Sequence, residues 1–263
     1  MSKIKKILIM GLPGSGKSYL AKELSKDLNF TWLNADKIRK KNSDWDFSFT
    51  GRKRQAERMS NLANLEIKKN KSVIVDFVCP LNLTRKIFNP DLIIWMNTIK
   101  KSRFNNTNKI FEKPKNADLI INEKNLKLNK IKAKDKIIKY KWNNKSPTAQ
   151  MLGRYQPWHE GHKKLFEKIL TKVNQIQIYV KDVHGIGDNP FSFISIKKRI
   201  NKSLSEYKNR FKISLAPNIT NIFYGRKVGY KTSKINLSKS IQKISATAIR
   251  KKLRKIGRLK KII

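Results

Sequence analysis

The sequence is short of cysteine, of long apolar runs and of acidic residues, and each shortage narrows what the protein can be. Its 263 residues include one cysteine, Cys79, so no disulfide can form within the chain, which fits a reducing compartment such as the cytoplasm. The sequence has no run of about 18 apolar residues, so we expect no membrane-spanning helix. An apolar run that predicts a strand begins almost at the first residue and leaves no room for a signal peptide.

Acidic residues are few beside basic ones: 61 lysines and arginines face 18 aspartates and glutamates, and the formal net charge is +43. Such a charge is typical of proteins that bind nucleic acid or another anionic surface. Lysine is spread along the whole chain, however, and no basic motif interleaved with aromatic residues stands out. Composition alone therefore explains the charge at least as well. On either interpretation the field of the protein attracts phosphorylated ligands.

The most specific motif is the stretch GLPGSGKS at residues 11–18, which lies between an apolar strand and a segment with helical spacing. This arrangement is a P-loop, in which glycines let backbone N–H groups converge on phosphate at a helix N-terminus. Lys17 can reach the terminal phosphates, and the Ser18 hydroxyl can ligate Mg²⁺. We therefore expect ATP and Mg²⁺ as cofactors, with ATP bound by Gly11, Gly14, Ser15, Gly16, Lys17 and Ser18.

Apolar strands alternate with helical segments in both halves of the chain, which predicts an α/β fold with parallel sheets. Lysine-rich residues 123–146 show weak periodicity and are interpreted as a linker, with an edge strand or hairpin as the alternative. We predict two domains: a P-loop kinase domain with a basic C-terminal linker over residues 1–145, and a Rossmann-like domain over residues 146–263. Strands are expected at 6–10, 30–34, 72–77, 91–96, 118–122, 148–152, 175–180, 211–215 and 221–224, and helices at 52–68, 160–172, 192–206 and 245–256.

A P-loop in a compact unit of about 120–150 residues favours a small-molecule kinase. Such an enzyme needs a base for the acceptor hydroxyl and positive groups to hold the acceptor. Asp36 and Asp76 each follow a predicted strand, at the edge where α/β proteins bind ligands. One could be the base and the other could orient Mg²⁺; alternatively, each caps a helix or turn. We favour Asp36 as the catalytic residue, and Arg39, Arg52 and Arg54 are candidates to hold an anionic acceptor.

Residues 5–122 resemble the adenylylsulfate kinase family. The resemblance is carried by the P-loop, by NADKIR at 34–39, by Cys79-Pro80-Leu81 and by IFEKPKNADL at 110–119. It implies a kinase in which Phe47, Arg52 and Arg54 contact the acceptor. The family's lid pattern, Arg-Asp-x-Lys-Gly-Leu-Tyr, is missing from the shorter segment at 96–110. The resemblance therefore implies the chemistry more firmly than the acceptor.

Two of the three histidines, His159 and His162, lie three residues apart where a predicted strand gives way to a helix. Two imidazoles at a helix N-terminus could grip phosphate oxygens and stabilise the charge that develops when a nucleotide α-phosphate is attacked. Gly161 between them would let phosphate approach the backbone. One alternative is that the two histidines bind a metal, although no third ligand is evident nearby. The other alternative is that both are ordinary surface histidines.

The second half resembles the nucleotidyltransferase superfamily with the His-x-Gly-His signature, especially its nicotinamide-nucleotide adenylyltransferase branch. The resemblance rests on GRYQPWHEGH at 153–162, NPFS at 189–192 and ISATAIR at 244–250, which occur in the family's order. The size is closer to that of a cytidylyltransferase, so the nucleotide is ATP or CTP. The resemblance implies that Tyr224 and Arg226 lie near the base or acceptor, and that the nucleotide is bound by Gly153, Arg154, Gly161, Ser245, Thr247 and Arg250.

Together these motifs predict a cytoplasmic bifunctional enzyme. The first domain would phosphorylate a hydroxyl, and the second would transfer a nucleotidyl group to a phosphate-bearing acceptor with release of pyrophosphate. One alternative is a sulfate-activation enzyme that makes and phosphorylates adenylylsulfate. The other is a basic protein that uses the P-loop on polynucleotide ends. Small phosphorylated molecules are the expected partners, nucleic acid is suggested by charge alone, no membrane contact is expected, and a homo-oligomer is left open.

Overall fold

The computed structural model describes residues 5–223, 225, 229 and 232–260. The chain divides into two compact units, Met1–Lys139 and Tyr140–Ile263, and each is described by itself. Among the described residues, none of the helices combines the length and the apolar character needed to cross a bilayer. The assignment of the two units as two functional domains stays a prediction.

The N-terminal unit is built on a five-stranded parallel sheet in the order β2-β3-β1-β4-β5. Its central strand reads KILIM and is buried throughout, because helices cover both faces of the sheet. The prediction of an α/β fold with a parallel sheet is confirmed for this unit. The strands are β1 Lys6–Met10, β2 Thr31–Asn34, β3 Val73–Asp76, β4 Leu92–Met96 and β5 Leu119–Ile121.

Six helices accompany this sheet, and the alternation of side chains along β1 divides the core into two clusters. Ile7 and Ile9 pack with the first and last of these helices, whereas Leu8 and Met10 pack with the third. The parallel register places Asn34 opposite Asp76 at the carboxyl edge of the sheet. The helices are α1 Lys17–Leu28, α2 Ala35–Lys41, α3 Phe49–Lys68, α4 Asn82–Phe88, α5 Asn105–Ile110 and α6 Leu126–Ile137.

The interpretation of residues 123–146 as a linker is wrong for α6. The Asn125 side chain caps this helix by accepting from Leu128 N at 3.2 Å. Ala133 and Ile137 are buried in the same cluster as α1. Weak periodicity hid the helix because lysines separate its apolar positions; one of them, Lys130, extends to carboxylates of α1. The segment is thus a helix of the core and neither a strand nor a hairpin.

The C-terminal unit contains a three-stranded parallel sheet in the order β6-β7-β8. Phe166, Tyr207 and Phe211 form an aromatic core beside it. The strand predicted at 221–224 is wrong as far as it is described, because residues 221–223 are exposed and unpaired with the sheet; Tyr224 lies outside the described residues. Its elements are β6 Ala149–Gly153, α7 Glu160–Leu170, β7 Ile176–Lys181, α8 Phe193–Ser203, β8 Phe211–Ala216, α9 Lys239–Gln242 and α10 Ala246–Lys255.

Candidate functional site

The glycine-rich loop of the N-terminal unit has the backbone that phosphate binding requires. Gly11, Gly14 and Gly16 have φ angles of 145°, 86° and 92°, values that side-chain-bearing residues rarely adopt. A Cβ on Gly11 would lie 2.4 Å from the Met96 carbonyl oxygen, so the loop packs directly on the end of β4. Lys17 Nζ closes the loop by donating to the Leu12 carbonyl at 3.0 Å.

Two features show that this loop fits a phosphate chain. The Ser15 hydroxyl is buried and has no hydrogen-bond partner in the described part of the chain. Helix α1 begins at Lys17, so the N–H groups of its first turn have no acceptor within the helix, and its dipole favours an anion. Burial lowers the pKa of Lys17 to about 8, although Asp76 and Asp36 oppose that shift. A bound polyphosphate would favour the charged amine. The structure thus brings together all six residues predicted to bind ATP.

Asp76 is the carboxylate placed directly against this loop. It accepts hydrogen bonds from Ser18 Oγ at 2.5 Å, from Trp32 Nε1 at 2.6 Å and from Asn34 Nδ2 at 3.0 Å. Burial raises the pKa of Asp76, and these donors together with Lys17 partly offset that rise. Oxygen atoms of Ser18 and Asp76 are the kind of ligand that Mg²⁺ prefers, so the pair fits the cation that accompanies ATP. The sequence signalled Asp76, but nothing in it indicated the Trp32 donor.

Asp36, the predicted base, lies exposed in the first turn of α2. It does not cap that helix, because the Asn34 side chain does so by accepting from Lys37 N at 2.9 Å. Burial lowers the pKa of both Lys17 and Arg39, and the nearby charge of Asp36 partly opposes each shift. The structure therefore keeps this carboxylate accessible at the same sheet edge as the P-loop.

The predicted acceptor-binding side chains gather around one ring. The guanidinium carbons of Arg39 and Arg52 lie 4.8 and 5.6 Å from the centre of the Phe47 ring. Both arginines are buried and donate to backbone carbonyls, Arg39 to Asp44 and Arg52 to Phe47. These hydrogen bonds fix the conformation of the chain before α3, and Phe47 remains 53% exposed.

Arg54 is held differently, by carboxylates that the sequence reasoning missed. Its guanidinium lies 2.9 Å from Asp44 and 3.2 Å from Asp46. Asp44 also accepts from Arg58 at 2.8 Å, and these arginines hold the pKa of Asp44 well below its usual range. Arg54 is thus already paired in this structure, although half of its side chain remains exposed.

In the C-terminal unit, the two histidines of the His-x-Gly-His motif stack at the start of α7, with ring centres 3.8 Å apart. His159 Nδ1 accepts from Gly161 N at 3.1 Å, and His162 Nδ1 accepts from His159 N at 3.2 Å. Burial lowers the pKa of both, in His162 to about 3 with a contribution from His159. Both rings are therefore neutral near pH 7, and each carries its proton on Nε2.

The side chain of Gln156 joins the segments that carry the second resemblance. Its amide donates to the Phe191 carbonyl at 2.8 Å and accepts from Phe191 N at 2.9 Å. The backbone carbonyl of Gln156 accepts a short hydrogen bond from the Arg250 guanidinium. At Gly161, an added Cβ would lie 3.8 Å from Ile241, so α9 also reaches the start of α7. Residues 153–162, 189–192 and 244–250 thus meet within this unit.

The remaining residues predicted to bind the nucleotide or acceptor in this unit differ in burial and in hydrogen bonding. Arg250 is buried and paired with Asp188, with Nε 2.7 Å from the carboxylate, and Asp188 also binds Arg254 at 2.5 Å. Ser245 caps α10 by accepting from Ala248 N. Thr247 lies in the first turn of α10, 3.3 Å from Arg250. Gly153 ends β6, the next residue, Arg154, is exposed, and both Tyr224 and Arg226 lie outside the described residues.

Comparison with known proteins bears on the N-terminal unit. Residues 3–91, about a third of the chain, match the family model of adenylylsulphate kinase. Over these residues the N-terminal unit is therefore similar to adenylylsulphate kinases. An APS kinase from Mycobacterium tuberculosis, solved in complex with AMPPNP and APS, aligns with 52% of this chain and 99% of its own at 22% identity and a TM-score of 0.46.

Two further proteins align with smaller shares of this chain. A hexameric APS kinase from Thiobacillus denitrificans aligns with 50% of this chain and 28% of its own, at 22% identity and a TM-score of 0.40. An adenylate kinase isoenzyme 6 homolog from Drosophila melanogaster is 53% identical over 34 residues, or 13% of this chain. The chain spans about a fifth of the length of that curated relative, 19%.

Proposed function

We propose that the chain is a bifunctional enzyme whose N-terminal unit phosphorylates a hydroxyl from ATP and whose C-terminal unit transfers a nucleotidyl group. The observation that carries the kinase proposal is the Ser18–Asp76 pair beside a loop with an unpartnered Ser15 hydroxyl. Mg²⁺ would supply positive charge that offsets the negative charge developing during phosphoryl transfer. Ser18 and Asp76 would hold it, and Lys17 would contact the terminal phosphates.

In the kinase step the acceptor oxygen forms a bond to the γ-phosphorus, and the bond from that phosphorus to the oxygen it shares with the β-phosphate breaks. ADP leaves, and the hydroxyl proton passes to the Asp36 carboxylate, which is exposed at the same edge. The Phe47 ring, flanked by Arg39 and Arg52, is the surface we assign to the acceptor. Because it presents an apolar ring beside positive charge, it suits a planar or anionic acceptor.

For the C-terminal unit, the supporting observation is the junction made by Gln156, which joins the His-x-Gly-His loop to Phe191 and Arg250. With both Nδ1 atoms occupied by backbone N–H groups, His159 and His162 direct Nε2–H donors at a ligand. Neutral imidazoles that donate through Nε2 can stabilise negative charge on a reacting phosphate without accepting a proton. The nucleotide is ATP or CTP.

Separate assays test the two activities in the full chain. ADP formation and pyrophosphate release are measured with ATP and with CTP, against a panel of hydroxyl-bearing and phosphate-bearing acceptors that includes adenylylsulfate. We expect Lys17→Ala to abolish ADP formation with pyrophosphate release intact, and His162→Ala to do the reverse. Loss of both activities from either single change would contradict two independent sites.

The sulfate-activation alternative makes a different prediction in the same panel: sulfate and ATP would release pyrophosphate, and adenylylsulfate would be phosphorylated. The polynucleotide alternative predicts ³²P transfer from ATP to the 5′ ends of oligonucleotides. It also predicts binding that survives physiological salt, whereas binding confined to very low salt without turnover would reflect charge alone.

A further inference from the structure

An open cleft of about 640 Å³ lies beside His159 in the C-terminal unit, and its lining includes none of the described residues 244–250. One wall is formed by the start of α7 and by Trp158 and His159, which precede it. The other wall is formed by the end of α8 and by the turn at residues 205–206 that follows it. Its volume lies within the range of about 300–1,000 Å³ that small-molecule sites occupy. Its lining residues are Trp158, His159, Glu160, Lys163, Arg199, Lys202, Ser203, Ser205 and Glu206.

The cleft is rich in hydrogen-bond donors that the protein leaves unused. In the described part of the chain, the side chains of Lys163, Arg199 and Lys202 make no hydrogen bond and no ion pair. Arg199 lies 4.9 Å from the centre of the Phe191 ring, which fixes the position of its guanidinium without consuming an N–H. The lining also contains two acidic residues, Glu160 and Glu206. The Glu160 carboxylate lies 3.9 Å from the Lys164 amine. Converging cations that lack partners are typical of a phosphate site.

The cleft is also joined to the candidate catalytic loop. Trp158 Nε1 donates to Ser203 Oγ at 3.0 Å, which ties the residue before His159 to the end of α8. Trp158 is buried and packs on His162, with ring centres 5.2 Å apart. His159 lines the cleft and has a free Nε2–H, because its Nδ1 is occupied by Gly161 N. A ligand in the cleft would therefore lie against one of the two histidines.

We infer that this cleft is the acceptor site of the C-terminal unit, and that it takes a phosphomonoester of nucleotide size whose phosphate is held by Lys163, Arg199 and Lys202. The inference rests on the proposed nucleotidyl transfer. A phosphate oxygen of the acceptor forms a bond to the α-phosphorus of the nucleotide. The bond from that phosphorus to the oxygen it shares with the β-phosphate breaks, and pyrophosphate leaves with the electron pair. The acceptor dianion supplies the nucleophile, so no base is needed.

Binding of defined probes to the full chain tests this assignment. AMP and ribose 5-phosphate are titrated by calorimetry, with adenosine and ribose as unphosphorylated counterparts. The parent for these titrations is Lys17→Ala, which removes phosphate binding at the P-loop. We expect Lys163→Ala and Lys202→Ala each to weaken phosphomonoester binding by roughly tenfold, the effect of one charged hydrogen bond. Lys172→Ala, an exposed lysine just after α7 and outside the cleft, is the matched control.

Three results would overturn the assignment. They are equal binding by the cleft variants and the parent, equal loss in Lys172→Ala, and equal affinity for phosphorylated and unphosphorylated probes. A single-stranded oligonucleotide that displaces AMP as effectively as AMP itself would also overturn it, because the cleft would then belong to a general polyanion surface. Failure of the proposed function appears differently: AMP would bind and the lysine variants would weaken it, yet no acceptor in the panel would release pyrophosphate.

Discussion

The hydrogen bond from Trp32 to Asp76 offers the sharpest test of the candidate kinase site. Trp32→Phe keeps an aromatic ring in place and removes the Nε1–H that lies 2.6 Å from the carboxylate. A hydrogen bond to a charged group contributes about 1.5–3 kcal/mol. Because this donor favours the ionised carboxylate, the substitution should raise the pKa of Asp76 further. Burial already raises that pKa, so the loss of the donor acts in the same direction.

The assay is ADP formation across a pH series, with a Mg²⁺ titration at each pH. Protonated Asp76 cannot serve as an anionic ligand, so the acidic limb of the kinase profile should move to higher pH in Trp32→Phe. Half-saturation by Mg²⁺ should need a higher concentration below that limb. ATP binding measured without Mg²⁺ should change little, because the P-loop is untouched.

The same shift has a consequence for stability with a definite sign. In the folded protein the pKa of Asp76 is raised, so ionising this buried carboxyl group lowers the stability of the fold. The loss is absent at low pH, where Asp76 is protonated in both the folded and the unfolded state. It is complete once the pH has risen through the folded pKa. Trp32→Phe should therefore lose stability mainly on the alkaline side of that transition.

Trp142→Phe is the matched control for this substitution. Its indole also donates at 2.6 Å, to Asn144, and also lies under a lysine at 4.9 Å, as the Trp32 ring lies under Lys37. This control should leave the kinase profile unchanged. Identical acidic limbs and Mg²⁺ requirements in Trp32→Phe and the parent would refute the role assigned to Trp32.

Three further outcomes are expected. Because burial lowers the pKa of Lys17 to about 8, ATP affinity of the free enzyme should fall as the pH rises through that value, and calorimetry in buffers of different ionisation heat should show proton uptake on binding. His162→Asn keeps an acceptor for His159 N but lacks a donor at Nε2, so pyrophosphate release should drop by roughly 10²-fold with circular dichroism unchanged; retention of full activity would contradict the donor role. Ile137→Ala should destabilise the N-terminal unit by about 2–4 kcal/mol in urea unfolding. Ile138→Ala, at the exposed neighbouring position, should change the free energy of unfolding little. Equal losses in the two variants would contradict the inference that α6 is part of the core.

The sequence predicted those parts of the fold in which local pattern and burial agree. The P-loop and the strands of the N-terminal sheet are examples, because fully apolar strands and positive-φ glycines leave few alternatives. Helix α6 escaped prediction because lysines dilute its apolar face, and burial there depends on α1, which is remote in sequence. The strand expected at 221–224 was inferred from apolar residues, of which the described ones, at 221–223, are exposed.

Within the candidate sites, residue types were predictable from motifs and their partners were not. Asp76 stood out at a strand end, but its Trp32 donor comes from a neighbouring strand. The pairing depends on the register of β2 against β3, which no local pattern encodes. The same holds for Gln156, whose amide joins segments 35 residues apart. Arg54 is paired with two carboxylates in this structure, and its predicted contact with the acceptor stays a prediction.

The two activities that we propose would fit together in one order. A kinase converts a hydroxyl into a phosphomonoester, and a phosphomonoester is the acceptor class we assign to the cleft beside His159. If the steps are consecutive, an unphosphorylated acceptor with ATP and the nucleotide should release pyrophosphate only after a lag. Lys17→Ala should abolish that release, and the phosphorylated acceptor should restore it in the same variant. Release by Lys17→Ala from the unphosphorylated acceptor would instead show that the C-terminal unit works on a separate substrate.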